Sequence, residues 1–243
     1  MLPFKDDNPT RTFAIVVVAL IAVNAAVFLY QAGLPYPEQK RFVYSYAAIP
    51  AVIVGLRHLP FETGFPAVGT LFTSMFLHGG VLHIGGNMLF LWVFGNNIED
   101  LLGHVRFIAF YVVCGVAAMA AQVMIHPGSV VPALGASGAI AGVLGAYALR
   151  FPGTRVHTLI LPLPIVLRLP ALFVLGYWFL LQWLGGQQAL GAGPQMSGTA
   201  WFAHIGGFIA GMALIGVFQM GRRPPRRRPR LDYGDDYPGR LGW

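Results

Sequence analysis

Residues 199–220 read Thr199-Ala-Trp-Phe-Ala-His204-Ile-Gly-Gly207-Phe-Ile-Ala-Gly-Met-Ala-Leu-Ile-Gly-Val-Phe-Gln-Met220, without one Asp, Glu, Lys or Arg. A helix needs ~20 predominantly apolar residues to cross the hydrocarbon core of a bilayer, and this run supplies them. The rest of the chain has the same character. It is 56% hydrophobic and 10% charged, where a soluble domain carries about 25% charged residues. Too little charge is present to cover a water-facing surface, so the chain is read as an integral membrane protein. His204 is the exception inside the run. Polar side chains within spans are costly and face a bundle interior or a cavity.

Working outward, five further apolar runs are candidate spans: Thr12 to Tyr30, His83 to Asn96, Arg106 to Ile125, Leu134 to Phe151, and Pro170 to Leu184. The second is short and is expected to extend back through Leu71–Leu77 if that stretch is helical. The first is too long for a signal peptide, Asn24 interrupts it, and no small-x-small cleavage site follows. The fold class expected is therefore an all-α, six-transmembrane helical bundle. Its longest connection, Gln31 to His78, is too rich in Phe, Tyr, Ile and Val for a linker and reads as short interfacial helices. The domain plan is a cytoplasmic N-terminus over 1–11, a six-span domain over 12–220, and a disordered basic cytoplasmic tail over 221–243. No internal repeat of the transporter kind is visible. Cys114 lies in an apolar run as a packing residue.

Charge sets the orientation. The formal net charge is +7, and six arginines fall between Arg222 and Arg230. Arg106 lies between spans two and three, and Arg150, Arg155 and Arg168 lie between spans four and five, while the connections at 126–134 and 185–198 hold no Lys or Arg. By the positive-inside rule both termini are cytoplasmic, in a cell membrane of bacterial type. The arginine cluster has no interleaved aromatics, so it reads as a membrane flank touching anionic lipid rather than a nucleic-acid site.

With that topology spans two, four and six run parallel from the outer face. Each opens with polar residues: His78, His83 and Asn87 on span two, Ser137 on span four, His204 on span six. They share one depth. His83 and Asn87 are i and i+4, on one helix face. Gly138, Gly142 and Gly145 on span four, and Gly207 and Gly211 on span six, allow the close backbone approach that small residues give in membranes. A serine brought against a histidine can be activated as a nucleophile, with the imidazole as general base. Amide attack also needs donors for the developing oxyanion. The backbone N–H groups at the start of span four, including that of Ser137, and the side chains of His83 and Asn87 can supply them. No carboxylate is expected at this depth, so the arrangement is a dyad, and something other than an acid must fix the His204 tautomer.

The stretches Leu77-His78-Gly-Gly-Val-Leu-His83-Ile-Gly-Gly-Asn87, Gly135-Ala136-Ser137-Gly138 and Ala203-His204-Ile205-Gly206-Gly207, in this order on six spans, resemble the rhomboid intramembrane serine proteases over about residues 10–220. The resemblance implies Ser137 as nucleophile, His204 as base, and His83 and Asn87 as oxyanion-hole side chains. His78, Gly135, Gly138 and Gly207 are then expected as cavity or packing support. It further implies a water-filled cavity open to the outer face, cleavage of single-pass transmembrane protein substrates near that face, no cofactor, and a gate formed by the fifth span and the loop that follows it. Two positions depart from the pattern. Gly69-Thr70 stands where many members have Trp-Arg, and Ala141 where some have a Tyr that stacks on the base.

Rival readings rest on the same residues. A metal site from His78, His83 and His204 lacks a nearby cysteine or carboxylate and leaves the serine without a role. A non-catalytic binder of transmembrane clients is the alternative function, distinguished by loss of Ser137 or His204, and both are present. Asn24, Gln122 and Gln182 read as interhelical hydrogen-bonders. His58, His104, His126 and His157 fall in or beside loops.

Overall fold

The computed structural model describes residues 1–61, 63, 65–192 and 199–221. The chain begins with strand β1 (Leu2–Asp6) and helix α1 (Ile15–Gly33), then short helices α2 (Tyr36–Tyr46), α3 (Pro50–Ile53) and α4 (Thr70–Thr73). Helices α5 (Val81–Phe90) and α6 (Asn96–Leu102) are joined through a π-helical segment, Leu91–Gly95, into one rod. Helices α7 (His104–Ile125) and α8 (Ser137–Arg150), strands β2 (Arg155–Ile160) and β3 (Ile165–Pro170), and helices α9 (Ala171–Ala192) and α10 (Trp201–Gln219) complete the chain.

Among the described residues, α1, α7 and α10 are long and apolar enough to cross a membrane. The rod Val81–Leu102 makes a fourth when it is counted with the segment Ala67–Phe76. That segment is helical, as expected for Leu71–Leu77, but it does not lengthen the span. The chain bends by 80° between the two, at His78-Gly79-Gly80, and the span gains its length at the other end, out to Leu102. Helix α8 has 14 residues, short of the ~20 a bilayer requires. It is walled in by protein, with every residue from Gly138 to Ala148 buried. Helix α9 has 22 residues and runs well past the expected end at Leu184. Residues 193–198 and 222–243, and with them the tail expected to be disordered, lie outside the described residues.

Helices α8 and α10 touch through backbone. A Cβ on Gly207 would collide with the Gly138 carbonyl oxygen, and one on Gly211 with that of Gly142. On its other side Gly142 faces Cys114 of α7, which gives the lone cysteine the packing role expected of it. Aromatic side chains fill the space toward the bent rod: Phe94, Phe107, Phe110, Tyr111 and Tyr147 are all fully buried.

The first helix has no acceptor of its own at its N-terminus. Glu99, fully buried on α6, supplies it. Its two oxygens accept the Val16 and Val17 N–H groups at 2.9 and 2.8 Å, and Oε1 lies 2.6 Å from His104 Nδ1. Asp100 Oδ1 accepts the Thr12 N–H and hydroxyl at 2.9 and 2.7 Å. Two acids at a helix N-terminus satisfy orphan donors and complement the dipole. His104 thus belongs to a structural contact.

The all-α expectation needs one correction. Strands β1, β2 and β3 form an antiparallel sheet in that order, pairing the N-terminus with the connection between α8 and α9. Leu2 lies opposite Leu159 and Asp6 opposite Val156. Strand β2 buries Val156 and Thr158, the period-two pattern of a half-buried strand. Tyr147 of α8 donates its hydroxyl to Asp6, and His157 Nε2 lies 2.8 Å from Asp7 Oδ1.

The connection from 34 to 80 is built from short helices, as expected, and is tied down at several points. Ala48 and Ala133 exchange both backbone hydrogen bonds at 3.0 and 2.8 Å. The Ala51 N–H reaches the Ser129 carbonyl at 2.9 Å. Tyr30, Phe42, Tyr46 and Phe65 form a chain of tilted ring contacts. Gly69, at the position of the first departure from the family pattern, lies under the Phe65 ring with no room for a Cβ.

Candidate active site

Ser137 is the first residue of α8. Two residues earlier Gly135 has φ +121°, a conformation that L side chains rarely adopt, and its N–H donates to the Ser74 carbonyl at 2.8 Å. This bend brings the chain in from the 126–134 loop and starts the helix at the serine. His204 lies in the first turn of α10. Because α8 and α10 touch at Gly138 and Gly207, the two side chains meet: Ser137 Oγ lies 2.7 Å from His204 Nε2. Both residues are half-buried, so the pair is dry on one side and reachable on the other.

The second ring nitrogen of His204 is also engaged. Nδ1 lies 2.8 Å from Gln182 Oε1 of α9, and Gln182 Nε2 donates to the Trp178 carbonyl at 3.0 Å. The Trp178 ring leans on the imidazole, centroids 5.8 Å apart and planes 38° from parallel, and Trp201 approaches edge-on at 6.5 Å. Trp178 therefore covers the base where Ala141 cannot.

Asn87 and His83 lie beside Gly135. A Cβ built on Gly135 would be 2.8 Å from His83 Nε2 and 3.6 Å from Asn87 Nδ2. The missing side chain leaves a space faced by two side-chain nitrogens. Asn87 Nδ2 is buried and has no acceptor among the described residues. An unsatisfied buried donor costs ~1–3 kcal/mol, so this nitrogen is open to an acceptor. The Gly79 N–H donates to His83 Nδ1 at 3.3 Å. A neutral imidazole that accepts at Nδ1 carries its proton on Nε2, which turns the nitrogen facing Gly135 into a donor as well.

His78 is fully buried behind His83, ring centroids 5.2 Å apart. Its backbone is held by Gln31, whose Nε2 donates to the His78 carbonyl at 2.8 Å. Gly135, Gly138 and Gly207 serve close approach. Every residue expected from the sequence thus falls in or against one locus. Gln182, Trp178, Gly79 and Gln31 join it from outside the motifs. Gln182 bonds across helices, as its place in a span implies, and its partner is the base. Its i+4 spacing from Trp178 was the available signal.

Chemically, a serine hydroxyl donating to a neutral imidazole, with side-chain donors to one side, is what acyl transfer requires. Sequence comparison identifies the family. The model of the Rhomboid domain matches residues 66–220. The chain is 28% identical over 220 residues to Rhomboid protein 1, mitochondrial, of Saccharomyces cerevisiae, covering 88% of this chain and 56% of that protein. It is 36% identical over 92 residues to the human Presenilin-associated rhomboid-like protein, mitochondrial, covering 37% of this chain and 24% of that one. Over 76 residues it is 40% identical to Rhomboid protease GluP of Bacillus subtilis, covering 31% of this chain and 14% of that protein. The chain thus spans about half the length of the yeast relative and about a quarter of the human one. These relatives include both mitochondrial and bacterial proteins. With the family model matched over most of its length and the span-borne motifs in place, the chain belongs to the rhomboid family.

Proposed function

We propose that this chain is an intramembrane serine endopeptidase that cleaves transmembrane-helix substrates near the outer membrane face. The observation that carries the reading is the 2.7 Å contact between Ser137 Oγ and His204 Nε2. Ser137 attacks the scissile carbonyl while His204 takes its proton, then returns it to the leaving amine. His83, Asn87 and the Ser137 N–H receive the oxyanion. The six-span topology, both termini on the cytoplasmic side of a cell membrane, and single-pass membrane proteins as substrates are part of the same proposal. The lengths of α1, α7, α9 and α10, the buried α8 and the bent rod support six crossings. The Arg-bearing connections support the orientation.

A fluorophosphonate probe applied to the purified protein tests the reading. Wild type is expected to label at Ser137 and to cut a transmembrane substrate, and folded Ser137→Ala to do neither. A wild-type protein that binds transmembrane helices but takes no label and cuts nothing would make it a client-binding member instead.

A further inference from the structure

The amide of Gln182 has only one orientation that suits both of its neighbours. Its nitrogen donates to the Trp178 carbonyl at 3.0 Å. Turned over, Oε1 would face that carbonyl, two acceptors in contact. With the nitrogen so placed, Oε1 is the atom 2.8 Å from His204 Nδ1, and an acceptor there requires the proton to be on Nδ1. A neutral imidazole has one such proton. Nε2 is therefore bare, and it is Nε2 that receives the Ser137 hydroxyl.

We infer that Gln182 is a positioning residue for the dyad: it holds His204 in the tautomer whose Nε2 can take the Ser137 proton. The consequence for rate rests on the protease reading above. The hold on the tautomer does not. Soluble serine hydrolases use a carboxylate in this place. Here the partners of His204 are Gln182 and Ser137, with no carboxylate bonded to it among the described residues, and one at bilayer depth would cost a few kcal/mol. A neutral amide fixes the tautomer without burying a charge. It gives up the stabilisation that an acid lends to the imidazolium formed during attack.

The hold is delivered across the face that α9 turns to α10. Gln182 is buried on it, as are Ala171, Val174, Leu175 and Ala189, whereas Leu172, Phe173, Leu180 and Trp183 are exposed. Phe179 packs on Phe208 and Gly186 faces Phe202 and Ile205, and from this face Trp178 and Gln182 reach His204. The base is set when α9 is docked.

The full chain, purified in lipid nanodiscs with 15N-labelled histidine, tests this by solid-state NMR and by the rate of fluorophosphonate labelling. In wild type His204 is expected to show a protonated Nδ1 and a bare Nε2. Gln182→Leu should lose that signature, giving mixed tautomers, and label on the order of 10²-fold more slowly, most of what a positioned general base contributes. Gln182→Glu, as the neutral acid, donates its O–H to the Trp178 carbonyl, keeps an acceptor oxygen toward Nδ1, and should recover the tautomer and most of the rate. A Leu variant with the wild-type tautomer and rate overturns the inference. So does a rate loss shared equally by the Leu and Glu variants with the tautomer unchanged, which is a packing effect. A wild type that takes no label while its tautomer still depends on Gln182 retires the protease reading and leaves the hold on His204 standing.

Discussion

The Cα of Gly207 sits against the carbonyl oxygen of Gly138, so close that a methyl group has no place between them. This contact sets the spacing of α8 and α10, and with it the distance from Ser137 to His204. Both obstructing atoms are backbone, which cannot rotate aside as a side chain can.

Gly207→Ala is therefore expected to force the two helices apart. Overpacking of this kind costs about 1–3 kcal/mol. Near-attack geometry is lost over a displacement of about 1 Å, at a cost of about 10²-fold in rate. Thermal unfolding and probe labelling of the same sample should both fall. Gly176→Ala on α9, where nothing lies within 4 Å of the added methyl, is the control: it should leave labelling unchanged and hold or raise the melting temperature, since it removes a glycine from a helix interior. A Gly207→Ala protein as stable and as reactive as wild type would show that the helices have slack.

Asn87 offers a buried amide nitrogen with no acceptor among the described residues, beside the space left by Gly135. If it binds the oxyanion, Asn87→Ala should lower kcat by about 10²–10³ and leave KM unchanged, because the interaction exists only in the transition state. Steady-state kinetics and a melting curve on one preparation decide. A lower Tm with the kcat of the folded fraction intact would make Asn87 a packing residue and leave His83 and the backbone as donors.

Burial raises the Asp6 carboxyl from 3.8 to about 6, despite the hydrogen bond from Tyr147 that opposes the shift. A raised acid holds its proton more tightly when β1 is docked than when it is free. The docked sheet is then favoured most at low pH and loses stability as pH climbs from about 4 to about 6. Asp7 works in the opposite direction, lowered by its bond to His157, but its effect falls below pH 4 and it is solvent-exposed. Tyr147, Asp7 and His157, with Lys5 and Arg168 nearby, are the ionisable groups around this strand. Hydrogen exchange at the amides of β1 should be faster at pH 7 than at pH 5, and Asp6→Asn should flatten that difference. Exchange that slows with rising pH, after correction for the intrinsic rate, would contradict the assignment.

What could be read from residues alone divides along physical lines. Long apolar runs announce α1, α7 and α10, because the bilayer demands length and hydropathy of each span separately. The meeting of Ser137 with His204 was legible because the topology expected from charge runs spans four and six parallel and carries their first turns to one depth. The bend at His78-Gly79-Gly80 was not, since a helical pattern on both sides of a glycine pair says nothing of the angle between them. The sheet is not legible because its strands are short, β1 lies in the segment that reads as a cytoplasmic N-terminus, and pairing across some 150 residues leaves no local mark. Gln182 was visible as a polar residue in a span. Its partner depends on how α9 and α10 are rotated about their axes, and that is fixed only by packing.

The acceptor for the first turn of α1 is Glu99, 82 and 83 residues further along the chain. A ribosome adding about 5–20 residues per second delivers that carboxylate roughly 4–17 s after Val16 has emerged. Until then the Val16 and Val17 N–H groups lack their carboxylate, so the first helix is completed only when the rod Val81–Leu102 has been made and has docked against it.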